Sequence, residues 1–241
     1  MSAEIGGIMN NLPGANVKDN KAVEKDIWRN FTSDPTTGVT LVTVEGKILY
    51  INEQSVRIFF NESLDPKAFI GVSMFDLGFP AEWARERIGL FEQIQKTGES
   101  VLLRTIWHAR QQFSWMSLIS SDEDDEPDRI LVITRRIAAG EEAEHILEGE
   151  HEVYNSNLIC LGELKSLTPR ELEVLSLLGQ GLTIKGIASS LFRSVKTIEN
   201  HRESIGRKLK KTRGVELACL AHIAGLKIED SLRQRVKDDS Q

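Results

Sequence analysis

Cysteine is nearly absent from these 241 residues: Cys160 and Cys219 are the only two. That excludes a disulfide framework and a cysteine-based zinc site, and leaves both as small, partly buried side chains. Long apolar runs are missing too. No stretch approaches the roughly 18 to 20 consecutive apolar residues of a membrane span, although 40% of the chain is hydrophobic, enough for real cores. The opening MSAEIGGIMNNLPGANVKDN lacks a basic start followed by an apolar run, so no secretory leader is expected and the expected location is the cytoplasm. Also lacking are a glycine-rich phosphate loop, a nucleophile elbow and a histidine–carboxylate cluster at ligand spacing. These absences argue against an enzyme and against a metal site, so no catalytic residue is assigned.

A net charge of −6 argues by itself against nucleic acid, but it is unevenly spread. Met1 to Leu164 carries 15 basic and 27 acidic residues, whereas Lys165 to Arg213 carries 11 basic and 4 acidic. An acidic body attached to a basic segment is a sign of a nucleic-acid-binding module, with contact limited to the basic face.

Residues 1–26 read as a flexible N-terminus, with a short helix over Glu24 to Phe31 leading into a mixed α/β unit at 27–138. In that unit GVTLVTV and KILYIN are strand-like runs separated by Glu45-Gly46, a hairpin turn. A short helical stretch QSVRIFF follows. Ala81 to Lys96 is a second helix, striped by Trp83, Ile88, Phe91 and Ile94 and stopped at Thr97-Gly98. Three more strands, SVLLRTIWH, QFSWMSLIS and RILVITRRI, complete a five-stranded antiparallel sheet with helices on one face, an α+β unit. The acidic SDEDDEP between the last two reads as a solvated hairpin tip; it lacks the loop glycine and distant glutamate of a calcium site. Residues 139–165 form a charged linker, in which Leu147, Tyr154 and Leu161 are seven apart. That spacing suits a helical connector pairing with a second copy, although Gly149 interrupts it, and a monomeric helix or loose linker remains open.

The segment 166–228 is an all-α, four-helix unit, followed by a polar tail at 229–241. Thr168 caps a helix with Pro169 at its first position and Glu171 completing a capping box. Leu172, Leu175 and Leu178 share a face, and Gly179 and Gly181 end the helix. Thr183 to Leu191 is a short second helix, Phe192-Arg193 a tight turn, and Ser194 the cap of a third helix from Val195 to about Lys211. Val195, Ile198, Ile205 and Leu209 hold that helix inward. A fourth helix, about Val215 to Ala224, stops at Gly225. Two short helices, a tight turn and a long basic helix make a unit that reads the major groove of double-stranded DNA. The candidate phosphate contacts are Thr183, Lys185, Ser194, Lys196, Thr197, His201, Arg202, Arg207, Lys208 and Lys210. The candidate base readers are Lys196, Glu199, Asn200 and Glu203, with Asn200 suited to adenine and a carboxylate to cytosine N4. Pairing of Glu199 and Glu203 with Lys196, Arg202 or Arg207 along the helix is an equal alternative.

Two resemblances rest on these residues. VTLVTVEGKILYINEQS, Gly71-Val72-Ser73-Met74-Phe75-Asp76-Leu77, Lys96-Thr97-Gly98-Glu99, Trp115 and ILVITRRI resemble a PAS domain over about 100 residues. From Leu167 to Leu226, LTPRE, Glu173-Val174-Leu175, Gly181-Leu182, Lys185, Ile187-Ala188, Leu191, Ser194-Val195-Lys196-Thr197-Ile198, His201, Ile205, Lys208-Leu209, Arg213 and Glu216 closely resemble the LuxR/FixJ-type helix-turn-helix of transcriptional regulators. The chain departs from that pattern at Ile184 and Gly186, and by its two carboxylates among the groove-facing positions. The second resemblance implies a homodimer on a two-fold DNA site, and in activators contact with RNA polymerase. The first implies a domain that senses a ligand or partner, or that dimerises. Its cofactor is not specified: the middle helix has no axial histidine for haem, and neither cysteine lies where covalent flavin photochemistry needs one. Phe59, Phe75, Phe91, Trp107 and Trp115 either fill the core or line a pocket for a small apolar ligand. The competing functional reading is a signalling module whose bundle docks another protein without reading DNA. A third reading is a polymerase specificity subunit; the chain has no second promoter-reading region.

Overall fold

The structure, a computed structural model, describes residues 17–60, 64–120, 127–138, 153–211 and 213–237. Helix α1 (Val17–Thr32) precedes strands β1 (Thr37–Thr43) and β2 (Ile48–Ile51), then α2 (Glu53–Phe60), two 3-10 turns (Pro66–Phe69, Met74–Asp76) and α3 (Ala81–Thr97). Strands β3 (Val101–Trp107), β4 (Arg110–Ile119), β5 (Arg129–Arg136) and β6 (Val153–Ile159) follow, then a 3-10 turn (Gly162–Ser166) and helices α4 (Pro169–Gly179), α5 (Ile184–Ser190), α6 (Val195–Leu209) and α7 (Gly214–Ala224). A last 3-10 turn (Ile228–Leu232) leads to the two-residue strand β7 (Gln234–Arg235).

The local reasons for these boundaries are visible. Gly46 turns β1 into β2 at φ +84, a region open to glycine, with its N–H bonded to the Thr43 carbonyl. Gly98 ends α3 in the left-handed conformation, its N–H 2.8 Å from the Ile94 carbonyl. The Asn52 side chain fixes the entry to α2 by accepting from the Val39 and Ser55 N–H groups and donating to the Thr32 and Thr37 carbonyls.

The chain is α+β, and its strands form one mixed sheet in the order β2-β1-β5-β4-β3-β6-β7. The first five are antiparallel neighbours, whereas β6 runs parallel to β3 and β7 parallel to β6. The expected five-stranded antiparallel sheet is therefore corrected to seven strands of mixed direction. The helical connector expected at 139–165 is corrected at its second half: Val153–Ile159 is β6, and residues 139–152, Leu147 included, lie outside the described residues. The reason is the open edge of β3, whose backbone N–H and C=O groups need partners. VYNSNLI supplies them, and its alternation buries Ser156 and Leu158 while leaving Asn155 and Asn157 exposed. Two other expectations change. The helix foreseen at Glu24 starts at Val17, and the polar tail carries an ordered turn and β7. The acidic tip at 121–126 and residues 238–241 lie outside the described residues.

The two faces of the sheet do different work. On one, α2 and α3 enclose a core of Val42, Ile48, Val56, Phe60, Trp83, Phe91, Ile94, Leu103, Met116 and Ile130. On the other, Ile106, Ala109 and Ile159 join Leu164, Leu172, Leu175, Ile187, Ile198, Ile205, Leu217 and Ala221 in a second core. The four C-terminal helices thus share a core with the back of β3 and β6. At that seam Arg104, 1% exposed, donates to Asp230 from both guanidinium NH2 groups (3.0 and 2.7 Å), to the Gly225 carbonyl (2.7 Å) and to Gln111 (2.6 Å). Burial works to raise the Asp230 carboxyl, but the Arg104 hydrogen bonds and charge, the Lys227 N–H and Arg233 outweigh it and hold it below the usual carboxylate range.

Candidate nucleic-acid interface

Helices α4 to α7 form a compact bundle whose element boundaries follow from side-chain caps. Thr168 accepts from the Glu171 N–H at 3.2 Å while Glu171 accepts from the Thr168 N–H at 2.7 Å, a closed capping box. Thr183 accepts from the Gly186 N–H (3.1 Å) and Ser194 from the Thr197 N–H (3.0 Å). Arg170 bonds Glu173 and the Leu191 carbonyl (3.1 Å), tying α4 to the end of α5. At Gly179 a Cβ would lie 2.8 Å from Ala221, so α4 and α7 cross closely there.

The turn between α5 and α6 holds Phe192 at φ +52 with 88% of its surface exposed. A bulky L-residue in that region costs about 1–2 kcal/mol. Phe192→Asn, which tolerates the conformation, should raise stability by about 0.5–1 kcal/mol. The urea midpoint reads this out; a lower midpoint would mean that the ring makes a stabilising contact.

On α6, Ile198 and Ile205 are buried against the bundle. The opposite face, at 3.6-residue spacing, presents Lys196, Asn200, Glu203 and Arg207, all exposed, with half-buried Glu199 at its margin. Lys196 pairs with Glu199 at 3.7 Å, a surface contact worth only about 0.3–0.5 kcal/mol. The flank nearer α4 is committed inward: Lys208 Nζ lies 2.6 Å from Glu171 and the Ser204 hydroxyl donates to it at 2.7 Å. Burial works to raise Glu171, but hydrogen bonds from Lys208, the Thr168 N–H, Ser204 and Thr168 Oγ outweigh it and hold the carboxyl at about 2. Thr183, Lys185, Ser194, Arg202 and Lys210 are exposed, and Thr197 and His201 half-buried. Arg202, Arg207, Lys210 and Lys211 also line a cleft of about 450 Å³ toward α7. The sequence-derived residues are thus exposed or half-buried along α6 and at the starts of α5 and α6, and Lys208 is engaged by Glu171.

The expected aromatic pocket is only partly assembled. A cavity of about 50 Å³ is lined by Phe59, Phe60, Phe79, Trp83, Phe91, Arg87, Thr40 and Ser114 among others. Phe59 and Phe91 are among its lining residues. Trp107 packs in the same cluster, 5.3 Å from Trp83, and donates to the Phe59 carbonyl. Phe75 is 46% exposed on its 3-10 turn and stands apart. Trp115 lies on the other face of the sheet, packed with Leu102, Phe113 and Ile137, because its odd position on β4 points away from Met116 and Ser114. Sequence reasoning missed Phe79 and Arg87. Arg87 is nearly fully buried, its guanidinium 4.2 Å from the Trp83 ring.

A capped three-helix core with a tight turn and an exposed polar face on its long helix is a helix-turn-helix domain. Residues 165–221 match the family described as "GerE: Bacterial regulatory proteins, luxR family", and this part of the chain is a LuxR-family helix-turn-helix domain. Among curated relatives, the chain is 41% identical over 73 residues to "Virulence factors putative positive transcription regulator BvgA" of Bordetella pertussis, covering 30% of this chain and 32% of that protein. It is 41% identical over 58 residues to "Transcriptional regulatory protein LiaR" of Bacillus subtilis, covering 24% and 28%. The chain thus spans about a third of the length of these relatives. Among solved structures, a Vibrio cholerae VqmA–ligand–DNA complex aligns over 88% of this chain and 93% of that one, at 18% identity and a TM-score of 0.49. The PAS domain of the Cronobacter turicensis RpfR quorum-sensing receptor in complex with C12:0 aligns over 44% and 97%, at 16% identity and a TM-score of 0.34.

Proposed function

We propose that this chain is a sequence-specific regulator of transcription that binds double-stranded DNA through α6, with an N-terminal PAS-like α+β unit that senses a ligand or partner or mediates dimerisation. The observation that carries the reading is the exposed face of α6, where Lys196, Asn200, Glu203 and Arg207 stand in one row above a rigid, capped bundle. Asn200 pairs with adenine and Glu203 accepts from cytosine N4, while Lys196 and Arg207 neutralise phosphates. The Ser194 and Thr183 helix starts, with Lys185, Thr197, His201, Arg202 and Lys210, lie around that row as further backbone contacts. Lys208 acts through Glu171, by orienting α6 on α4.

A homodimer on a two-fold site fits the outer side of α7, where Val215, Cys219 and Ile223 form an exposed stripe at i, i+4 and i+8. RNA polymerase is a partner in the activator case. Among the described residues no helix is long and apolar enough to cross a membrane.

The test is selection of bound duplexes from random DNA, followed by affinity against salt. Lys196→Ala with Arg207→Ala should flatten the slope of log K against log salt by about 2 and weaken all sequences alike. Asn200→Ala should cost about 1–3 kcal/mol at one adenine only. Absence of any salt-dependent duplex binding by the full chain rules the reading out and leaves the bundle as a protein dock.

A further inference from the structure

We propose that a continuous run of buried ion pairs and hydrogen bonds joins the wall of the aromatic cavity to the seat of the helix-turn-helix domain, so that the state of the cavity sets how firmly that domain is docked on the sheet. The run starts at Trp83, which lines the cavity and whose buried Nε1 has no hydrogen-bond partner among the described residues. An N–H left unpaired in an apolar wall is costly, and an occupant bearing an acceptor relieves that cost by engaging it. The Arg87 guanidinium stacks on this ring and bonds Glu86 and the Thr105 hydroxyl (3.0 Å).

Glu86 is the branch point. Besides Arg87, it accepts from the Ser156 hydroxyl at 2.7 Å and the Asn157 N–H at 2.8 Å, both on β6, the strand that leads into the helical bundle. The Ser156 carbonyl in turn accepts from Arg233, whose Nε lies 2.9 Å from Asp230. Asp230 is the carboxylate clamped by Arg104, and Arg104 also holds the Gly225 carbonyl at the end of α7. Arg87 is 4%, Ser156 1%, Asp230 1% and Arg104 1% exposed, and the Glu86 and Arg233 side chains that join them are partly buried at 18% and 14%. In a close-packed interior such a set moves between discrete arrangements rather than deforming smoothly, and the C-terminal segment 225–236 is the element with a docked and an undocked arrangement. The link to DNA rests on the function proposed above; the link from α3 to segment 225–236 does not.

Hydrogen exchange on the full chain separates the two. Glu86→Gln keeps the side-chain volume and removes the charge. It should raise exchange about tenfold in β6 and, beyond it, in 225–236, with α6 unchanged. Ser156→Ala, which keeps both charges, should do the same in lesser degree and covers the case in which Glu86→Gln fails to fold. Asp230→Asn should open 225–236 by itself, and adding Glu86→Gln should then add little. An increase that stops at β6, or additive effects in the double variant, overturns the proposal. If exchange propagates but no duplex is bound at all, the relay stands and the DNA-binding reading is what fails; if the selected duplex is bound no differently, the relay stands and its link to DNA is what fails.

Discussion

Asp230→Ala should destabilise the chain by about 3–5 kcal/mol, the usual scale when one partner of a buried ion pair is removed. The substitution strands Arg104, 1% exposed, with Gln111 and the Gly225 carbonyl as acceptors but no carboxylate of the described residues to pair with. It also frees Arg233 and the Lys227 N–H, both of which Asp230 holds. The double change Arg104→Met with Asp230→Leu should recover most of the loss, since a well-packed apolar pair needs no desolvated charge. Urea unfolding checks both. A single variant within about 0.5 kcal/mol of the parent would mean that the seam between sheet and bundle is open in solution.

The second large effect is acid sensitivity centred on Glu171. Its carboxyl is held at about 2 against an ordinary 4.5. Because the folded-state value is the lower one, Glu171 stabilises the fold fully above pH 4.5, and that contribution fades as pH falls toward 2. The contribution at neutral pH is about 3 kcal/mol. Glu171→Gln should therefore lower the stability at pH 7 by about that amount and have little effect near pH 2. Lys208→Ala should reproduce part of the loss, because Lys208 is one of the groups that holds the carboxylate. Equal losses at pH 7 and pH 3 would show that Glu171 matters for shape and not for charge.

The bundle was legible because its signals are local. Thr168, Pro169 and Glu171 mark the start of α4, Ser194 that of α6, and Gly225 the end of α7, within a residue or two of where the structure puts them. The strands β1 to β5 were likewise readable from alternation and turns. What escaped depends on partners distant in sequence. VYNSNLI becomes a strand because β3 offers it an open edge, which no local pattern states. Seven-residue spacing of Leu147, Tyr154 and Leu161 suggested a helix, but Tyr154 is an exposed strand residue and Leu161 a core residue. The one available signal for the seam was Arg104 itself, a charge inside SVLLRTIWH at a position whose parity faces the back of the sheet; its partner lies 126 residues away.

The parallel pairing of β6 with β3 and of β7 with β6 has a mechanical consequence. The chain enters the helix-turn-helix domain from β6 and returns beside it in β7, with the Val236 N–H on the Ile159 carbonyl at 3.0 Å and Arg235 on the Leu167 carbonyl at 2.8 Å. A module tethered by one strand can spin about that tether. A module sewn in by two adjacent strands can swing only about the line between them, like a door on two hinges.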